Sequence, residues 1–256
     1  MQPEVGNKGF QGGCVLVTGA SGGLGGAVAR AFAATGARVA LHAYLGHQRV
    51  GEVAMDITAR GGVCRVFPAD LSRAEEARGL ALRVADWAGG AVGGMVHAAG
   101  MARDSPVVSL QEEDWDAVLA VHLHAVVHLL RGLPVADGGF VTLIGSGATH
   151  GRKGQAAYAA AKSGVAALGE VLAREFGVRG MGGVRGVRIN TVVPGPLETP
   201  FWHTLSPQAQ EQLKGAGALP EFNDVASVAE FILQLSRMTA TSGQTLCISS
   251  RVEGGL

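Results

Sequence analysis

Apolar residues in this chain fall into short continuous runs, and between the runs the spacing changes to a helical period. Cys14–Val17 (C-V-L-V), Arg38–Leu41, Val63–Phe67, Ala91–Gly100, Gly139–Ile144, Arg188–Val193 and Gly243–Ile248 are such runs. Cys14–Val17 is apolar throughout, as expected of a strand buried on both faces, and the other runs are mostly apolar. The intervening stretches predict helices: the run that closes at Gly36, then Ser72–Trp87, Gln111–Arg131, the stretch from Ala156 to Phe176, and Asp224–Ser236. Strands alternating with helices predict one doubly wound parallel sheet of about seven strands with helices on both faces. No repeat or boundary interrupts the alternation, so residues 1–256 are expected to form a single domain. Residues 1–12 are expected to be a flexible tail, and residues 177–187 a flexible connection. Residues 201–221 carry Phe201, Trp202, Leu205 and Leu213 as apolar anchors and suggest a substrate lid.

Composition narrows the class. Of 256 residues, 47% are hydrophobic and 16% charged, which supplies ample core. Lys and Arg number 21, as do Asp and Glu, so no net field favours nucleic acid or an anionic membrane. No apolar run approaches the roughly 20 residues of a membrane span. The N-terminus lacks the apolar segment of a secretion signal. The three cysteines lie in separate apolar runs without metal or disulfide spacing, which suits reduced thiols and a cytoplasmic location. His124 and His128 stand one helical turn apart, but no further ligand accompanies them, and no metal is expected.

The first strand runs into T-G-A-S-G-G-L-G-G at Thr18–Gly26 and then into a helix. A glycine-rich turn between strand and helix lets the backbone approach a pyrophosphate, which the helix N-terminus attracts. This marks a Rossmann-like arrangement and a dinucleotide cofactor. The end of the second strand should hold the adenosine ribose. An acid there would select NAD, whereas basic groups accept the 2′-phosphate of NADP. The chain offers His42, Tyr44, His47 and Arg49, and no acid before Glu52, so NADPH is expected ahead of NADH. Asp70 could bond the adenine amino group or cap the following helix. The small residues ending the fourth run, Ala98, Ala99 and Gly100, leave room for a flat ligand.

Tyr158 and Lys162 lie four apart in A-A-Y-A-A-A-K, an alanine-rich run that favours helix and puts both on one face. An ammonium beside a phenol stabilises phenolate and lowers its pKa from about 10. Such a tyrosine can protonate an oxygen forming on a carbonyl. Ser146, at the end of the strand Gly139–Ile144, could bring a hydroxyl beside it.

Together these segments resemble the short-chain dehydrogenase/reductase family in its classical branch. In texture they are most similar to 3-oxoacyl-acyl-carrier-protein reductases. The similarity spans about Gly13 to Ile248 and rests on T-G-A-S-G-G-L-G, A-D-L at 69–71, A-A-G at 98–100, Ser146, Y-A-A-A-K and P-G-P-L-E-T at 194–199. The resemblance implies NADPH-dependent reduction of a 3-oxoacyl thioester on an acyl carrier protein or coenzyme A. Another alcohol or polyol dehydrogenase activity, or a non-catalytic cofactor-binding subunit, are the alternatives. By the same resemblance Tyr158 would donate the proton, Lys162 would hold the nicotinamide ribose, and Ser146 would orient the carbonyl. The cofactor would be held by Thr18, Gly19, Ser21, Gly22, Gly23, Leu24, Gly25, His42, Asp70, Leu71, Ala98, Ala99, Gly100, Tyr158, Lys162, Pro194, Gly195, Leu197 and Thr199. Where relatives carry an Asn that anchors a relay water, this chain has His122, which could relay a proton or reshape the water site. A homo-oligomer, dimer or tetramer, is implied, with Arg131, Arg174 and Arg179 as candidate contacts for an acidic carrier protein.

Overall fold

A computed structural model of the chain describes residues 13–151, 153–177, 186–199, 202, 210–211 and 222–250. The expected tail at 1–12, Arg179 with most of the connection 177–187, and most of the expected lid lie outside them.

Seven strands form one parallel sheet: β1 (Cys14–Thr18), β2 (Arg38–Ala43), β3 (Val63–Pro68), β4 (Val92–His97), β5 (Val135–Ile144), β6 (Arg188–Pro194) and β7 (Thr245–Ile248). Their order is β3-β2-β1-β4-β5-β6-β7. The chain reverses its direction of winding between β1 and β4, so a crevice opens at their carboxyl ends, where ligands of such sheets bind.

The described helices are α1 (Gly23–Ala34), α2 (His47–Ala59), α3 (Ala74–Ala88), α4 (Glu112–Leu119), α5 (Ala125–Gly132), α6 (Ala156–Phe176) and α7 (Val225–Leu235). Strand residues alternate between the sheet's two faces. Leu16, Met95, Val141 and Ile189 pack with Leu80, Leu129 and Leu172 in one core. Val15, Val17, Leu41 and Val192 pack with Phe32, Ile57 and Ile232 in the other.

Three elements differ from expectation, the first being helix α2, which none of the stretches read as helical covers. The stretch Gln111–Arg131 is not one regular α-helix, because α4 and α5 are joined by a π turn over Ala120–His124. The wider turn coincides with a bond across the fold: His97 Nε2 lies 3.1 Å from the Val121 carbonyl. A carbonyl can only accept, so Nε2 carries the proton, and Nδ1 accepts from the Thr18 hydroxyl at 3.0 Å. Strand β5 also starts earlier than its apolar run. Val135 pairs with Val92 and Phe140 with Gly94, and the intervening Ala136–Gly139 form an irregularity. Gly94 makes room for Phe140, whose ring would lie 2.2 Å from a Cβ at that position.

Candidate active site

The glycine turn is tight because it has no side chains to hold apart. Gly19 has φ +68°, and a Cβ there would stand 2.7 Å from the Ala99 backbone. A Cβ on Gly25 would stand 2.2 Å from the Gly19 carbonyl oxygen. Helix α1 therefore begins directly under the turn. Its N-cap is Gly22, no side chain caps it, and its first turn holds no acid. Uncapped N–H groups and the positive end of the helix are left facing the crevice, which fits a pyrophosphate.

A cavity of about 310 Å³ extends from this turn. It brings together Gly19, Gly22, Gly23, Leu24 and Gly25 with Ala98, Gly100, His122, Ser146, Tyr158, Lys162, Pro194, Gly195, Leu197 and Thr199. Six residues expected on the cofactor are not on its wall. Thr18 is buried in the bond to His97, and its Oγ1 accepts the Ala99 N–H at 3.1 Å. Ala99 and Leu71 are core residues. Asp70 Oδ1 accepts both the backbone N–H and the hydroxyl of Ser72, so it closes the turn into α3. Ser21 faces Gly46, where a Cβ would stand 2.5 Å from its Oγ.

His42 is the clearest correction. It was expected among the basic groups at the ribose, but the ring is turned inward and is 3% exposed. Nδ1 accepts the Gly19 N–H at 3.1 Å, and Nε2 donates to the Ala69 carbonyl at 3.0 Å. Burial pushes its pKa down to about 4, so it is neutral and cannot hold a phosphate. Its function here is to pin the glycine turn to β2. Arg49, by contrast, is exposed. Its Nη2 lies 3.8 Å from where a Gly46 Cβ would stand, next to Ser21 and the N-terminus of α2.

Tyr158 and Lys162 are on the first two turns of α6, with Lys162 Nζ 5.7 Å from the phenol ring centroid. Nζ donates to the Ile144 carbonyl at 2.7 Å. Burial lowers the Lys162 pKa to about 7. Ser146 begins a short 3₁₀ turn (Gly147–His150), and its Oγ accepts the Ala148 N–H at 3.1 Å. That bond occupies a lone pair and leaves the hydroxyl proton for a carbonyl oxygen.

His122 is on the π turn, and its ring meets that of Tyr158 edge-on, with centroids 5.3 Å apart. Nε2 lies 2.8 Å from the Met101 carbonyl and 3.1 Å from the Met101 N–H, so it donates to the one or accepts from the other. Burial and then the Lys162 charge push its pKa down to about 2. The imidazole is neutral and latched to the loop that follows β4.

Sequence reasoning missed several wall residues, among them Met101, Gln155 and Ser249. Gln155 had a readable signal, since it precedes Tyr158 by three, the spacing of one helix face. Its Nε2 donates to Asp104 at 2.8 Å and ties the β4 loop to the start of α6. Trp202, named as a lid anchor, lines the cavity and packs edge-on against Phe222. Among the described residues, no group of three His, Cys, Asp or Glu could hold a metal ion, and no helix is long and apolar enough to cross a membrane.

Similarity to known proteins is extensive. Nodulation protein G of Rhizobium sp. (strain N33) is 32% identical over 94% of this chain and 95% of its own. The mouse (Mus musculus) (3R)-3-hydroxyacyl-CoA dehydrogenase is 30% identical over the same shares. A short chain dehydrogenase from Burkholderia cenocepacia J2315, solved in complex with NADP, superposes with a TM-score of 0.87. It is 28% identical, over 94% of this chain and 98% of that one. The family model for short chain dehydrogenases matches residues 13–210. With that match over most of its length, and the glycine turn, Ser146, Tyr158 and Lys162 around one cavity, the chain belongs to the short-chain dehydrogenase/reductase family of oxidoreductases.

Proposed function

We propose that this protein uses NADPH to reduce a 3-oxoacyl thioester, on an acyl carrier protein or coenzyme A, to the 3-hydroxyacyl thioester. The observation that carries the reading is that Ser146, Tyr158 and Lys162 share one cavity with the uncapped start of α1. The mouse relative's name supplies the acyl thioester class, and the Burkholderia protein's complex supplies NADP. Arg49, beside Ser21 and the N-terminus of α2, is the group suited to a 2′-phosphate. Exposed Arg131 suits an acidic carrier.

The bound cofactor would supply the hydride to the carbonyl carbon. Glycines 19, 22, 23 and 25 would hold the pyrophosphate, and Lys162 the nicotinamide ribose. Ser146 would donate its hydroxyl proton in a hydrogen bond to the substrate carbonyl and fix its direction. Tyr158 would give its phenolic proton to the same oxygen, and the Lys162 ammonium would stabilise the phenolate left behind. Trp202, Ile144 and Met101 would exclude water from the reacting groups.

The test is turnover of acetoacetyl-coenzyme A with NADPH, alongside simple polyols with NADP. Thioester reduction is the expected result, and turnover of polyols alone would replace this reading with a polyol dehydrogenase. Tyr158→Phe is expected to abolish turnover and to retain NADPH binding by fluorescence. Turnover that survives the change would refute the assignment of the proton donor.

A further inference from the structure

Five buried side-chain atoms among the described residues have no hydrogen-bond partner: His122 Nδ1, His128 Nδ1, Gln155 Oε1, Thr191 Oγ1 and Arg237 Nε. Of these residues, His122 and Gln155 line the main cavity. The role of His122 Nδ1 follows the ring's tautomer, so it names no ligand. Gln155 is different. Its Nε2 donates to Asp104 Oδ2 at 2.8 Å. A carboxylate only accepts, so the amide cannot be turned round, and Oε1 is the atom left without a donor. The residue is 7% exposed. Its backbone is held as well. The Ser105 N–H donates to the Gly154 carbonyl at 2.8 Å, and an isolated bridge joins Ser105 to Gln155. A buried carbonyl oxygen with no donor is a standing cost, which a donor on a ligand relieves.

The polar groups of the cavity wall then have two polarities. Ser146 Oγ accepts from Ala148 and keeps its proton to give, and Tyr158 brings a phenolic proton. Both suit the oxygen of a substrate carbonyl, which accepts two bonds. Gln155, at the N-cap of α6 and three residues before Tyr158, offers an acceptor instead. It repels a carbonyl oxygen and attracts an O–H or N–H. A substrate with only alkyl groups beside its carbonyl leaves Oε1 unpaired, and a site built around a polar partner rejects the analogue that lacks it. In a hydroxyketone the donor is a hydroxyl. In a 3-oxoacyl thioester it is the amide N–H of the cysteamine arm that carries the sulfur.

We infer that Gln155 is a specificity residue, whose Oε1 accepts a hydrogen bond from the cysteamine amide N–H of the thioester. The choice of this donor rests on the function proposed above; the acceptor role does not. The bond draws the thioester arm towards the start of α6 while the carbonyl meets Ser146 and Tyr158. No covalent bond changes at Gln155.

The test compares acetoacetyl-N-acetylcysteamine, which has this N–H, with its N-methyl counterpart, which lacks it. The unaltered protein should prefer the first about tenfold in kcat/KM, chiefly through KM, as read by NADPH oxidation. Gln155→Met keeps the side chain's length without the acceptor and should erase the preference. Asp104→Ala cuts the tie to the loop, keeps the acceptor and should keep the preference, which a merely structural role for Gln155 would not allow. No preference in the unaltered protein overturns the inference without any variant having to fold. Equal loss of preference in both variants overturns it too. Hydroxyacetone against acetone is the second pair. A preference there that Gln155→Met erases, with none between the thioesters, supports the acceptor role and overturns the cysteamine contact. If no carbonyl is reduced, the proposed function fails instead. Calorimetric binding of the two thioesters to the NADP complex then still decides the role of Gln155, and equal affinities overturn it.

Discussion

Gly100→Ala tests the claim that Tyr158 is held in place by a histidine. A Cβ on Gly100 would stand 2.4 Å from His122 Cε1. Ordinary carbon contacts begin near 3.5 Å, so the ring must retreat by about 1 Å. Gly100 has no positive φ, so the penalty comes from space and not from backbone strain. The retreat breaks the Nε2 bond to Met101, about 0.5–1.5 kcal/mol. It also loosens the edge contact with Tyr158, worth about the same. A loss of about 1–3 kcal/mol follows, or a fall in Tm of about 2–10 °C for a chain of this length. Activity should suffer more than stability, because displacing a reacting group by about 1 Å can cost about 100-fold. The assay is a double-mutant cycle with His122→Ala, read by thermal melting and by kcat. Removing the ring removes the clash, so Gly100→Ala should cost little in the His122→Ala background. Additive effects in that cycle would refute the reasoning, since they would place the alanine's harm somewhere other than His122.

Three further outcomes follow from the site. Arg49→Gln should raise KM for NADPH about tenfold and leave KM for NADH unchanged, as measured by initial rates, if one charge-assisted bond to the 2′-phosphate is lost. Lys162→Met should abolish turnover yet raise the Tm of the ligand-free protein at pH 6. Burial lowers the Lys162 pKa to about 7 against an unfolded value near 10.5, so folding opposes the ammonium. The unfolded chain binds the extra proton between those values, so that penalty is full below about pH 7 and fades as pH rises towards 10. The stabilisation by Lys162→Met should shrink over the same window. Acid should weaken the fold well before the carboxylates titrate. His42 and His97 are lowered to about 4 and 3, so their neutral forms support the fold fully above about pH 6.5 and less at each step below. Each should cost about 1.4 kcal/mol per pH unit down to its folded value, read as a falling urea midpoint between pH 7 and pH 5. A flat midpoint would mean these rings do not stay neutral in the fold.

Much of the architecture was legible because its signals are local. Apolar runs such as Cys14–Val17 and Arg188–Val193 announce buried strands, and the tyrosine–lysine spacing announces a shared helix face. What was not legible depends on which way a side chain turns once the strands are paired. His42 and Arg49 both carry nitrogen near the end of β2, and composition treats them alike. Only the parallel register of β2 with β1 and β3 sends the His42 ring inward, between the Gly19 N–H and the Ala69 carbonyl. The π turn was hidden for the same reason. Its bond partner, His97, is 24 residues earlier in sequence, and no helical periodicity encodes that meeting. Asp70 offered two readings, an adenine contact and a helix cap, and the structure shows a third use of Oδ1, in the turn at Ser72.

Two histidines hold the π turn beside Tyr158 in place. His97 joins β1 to the π turn through Thr18 and Val121, and His122, one residue further on, joins that turn to the loop after β4. Both rings are neutral and add no charge to compete with Lys162; His97 is bonded at both ring nitrogens, His122 through Nε2 alone. Because Lys162 is then the charged group among the buried residues around Tyr158, changes in its protonation fall directly on the phenol.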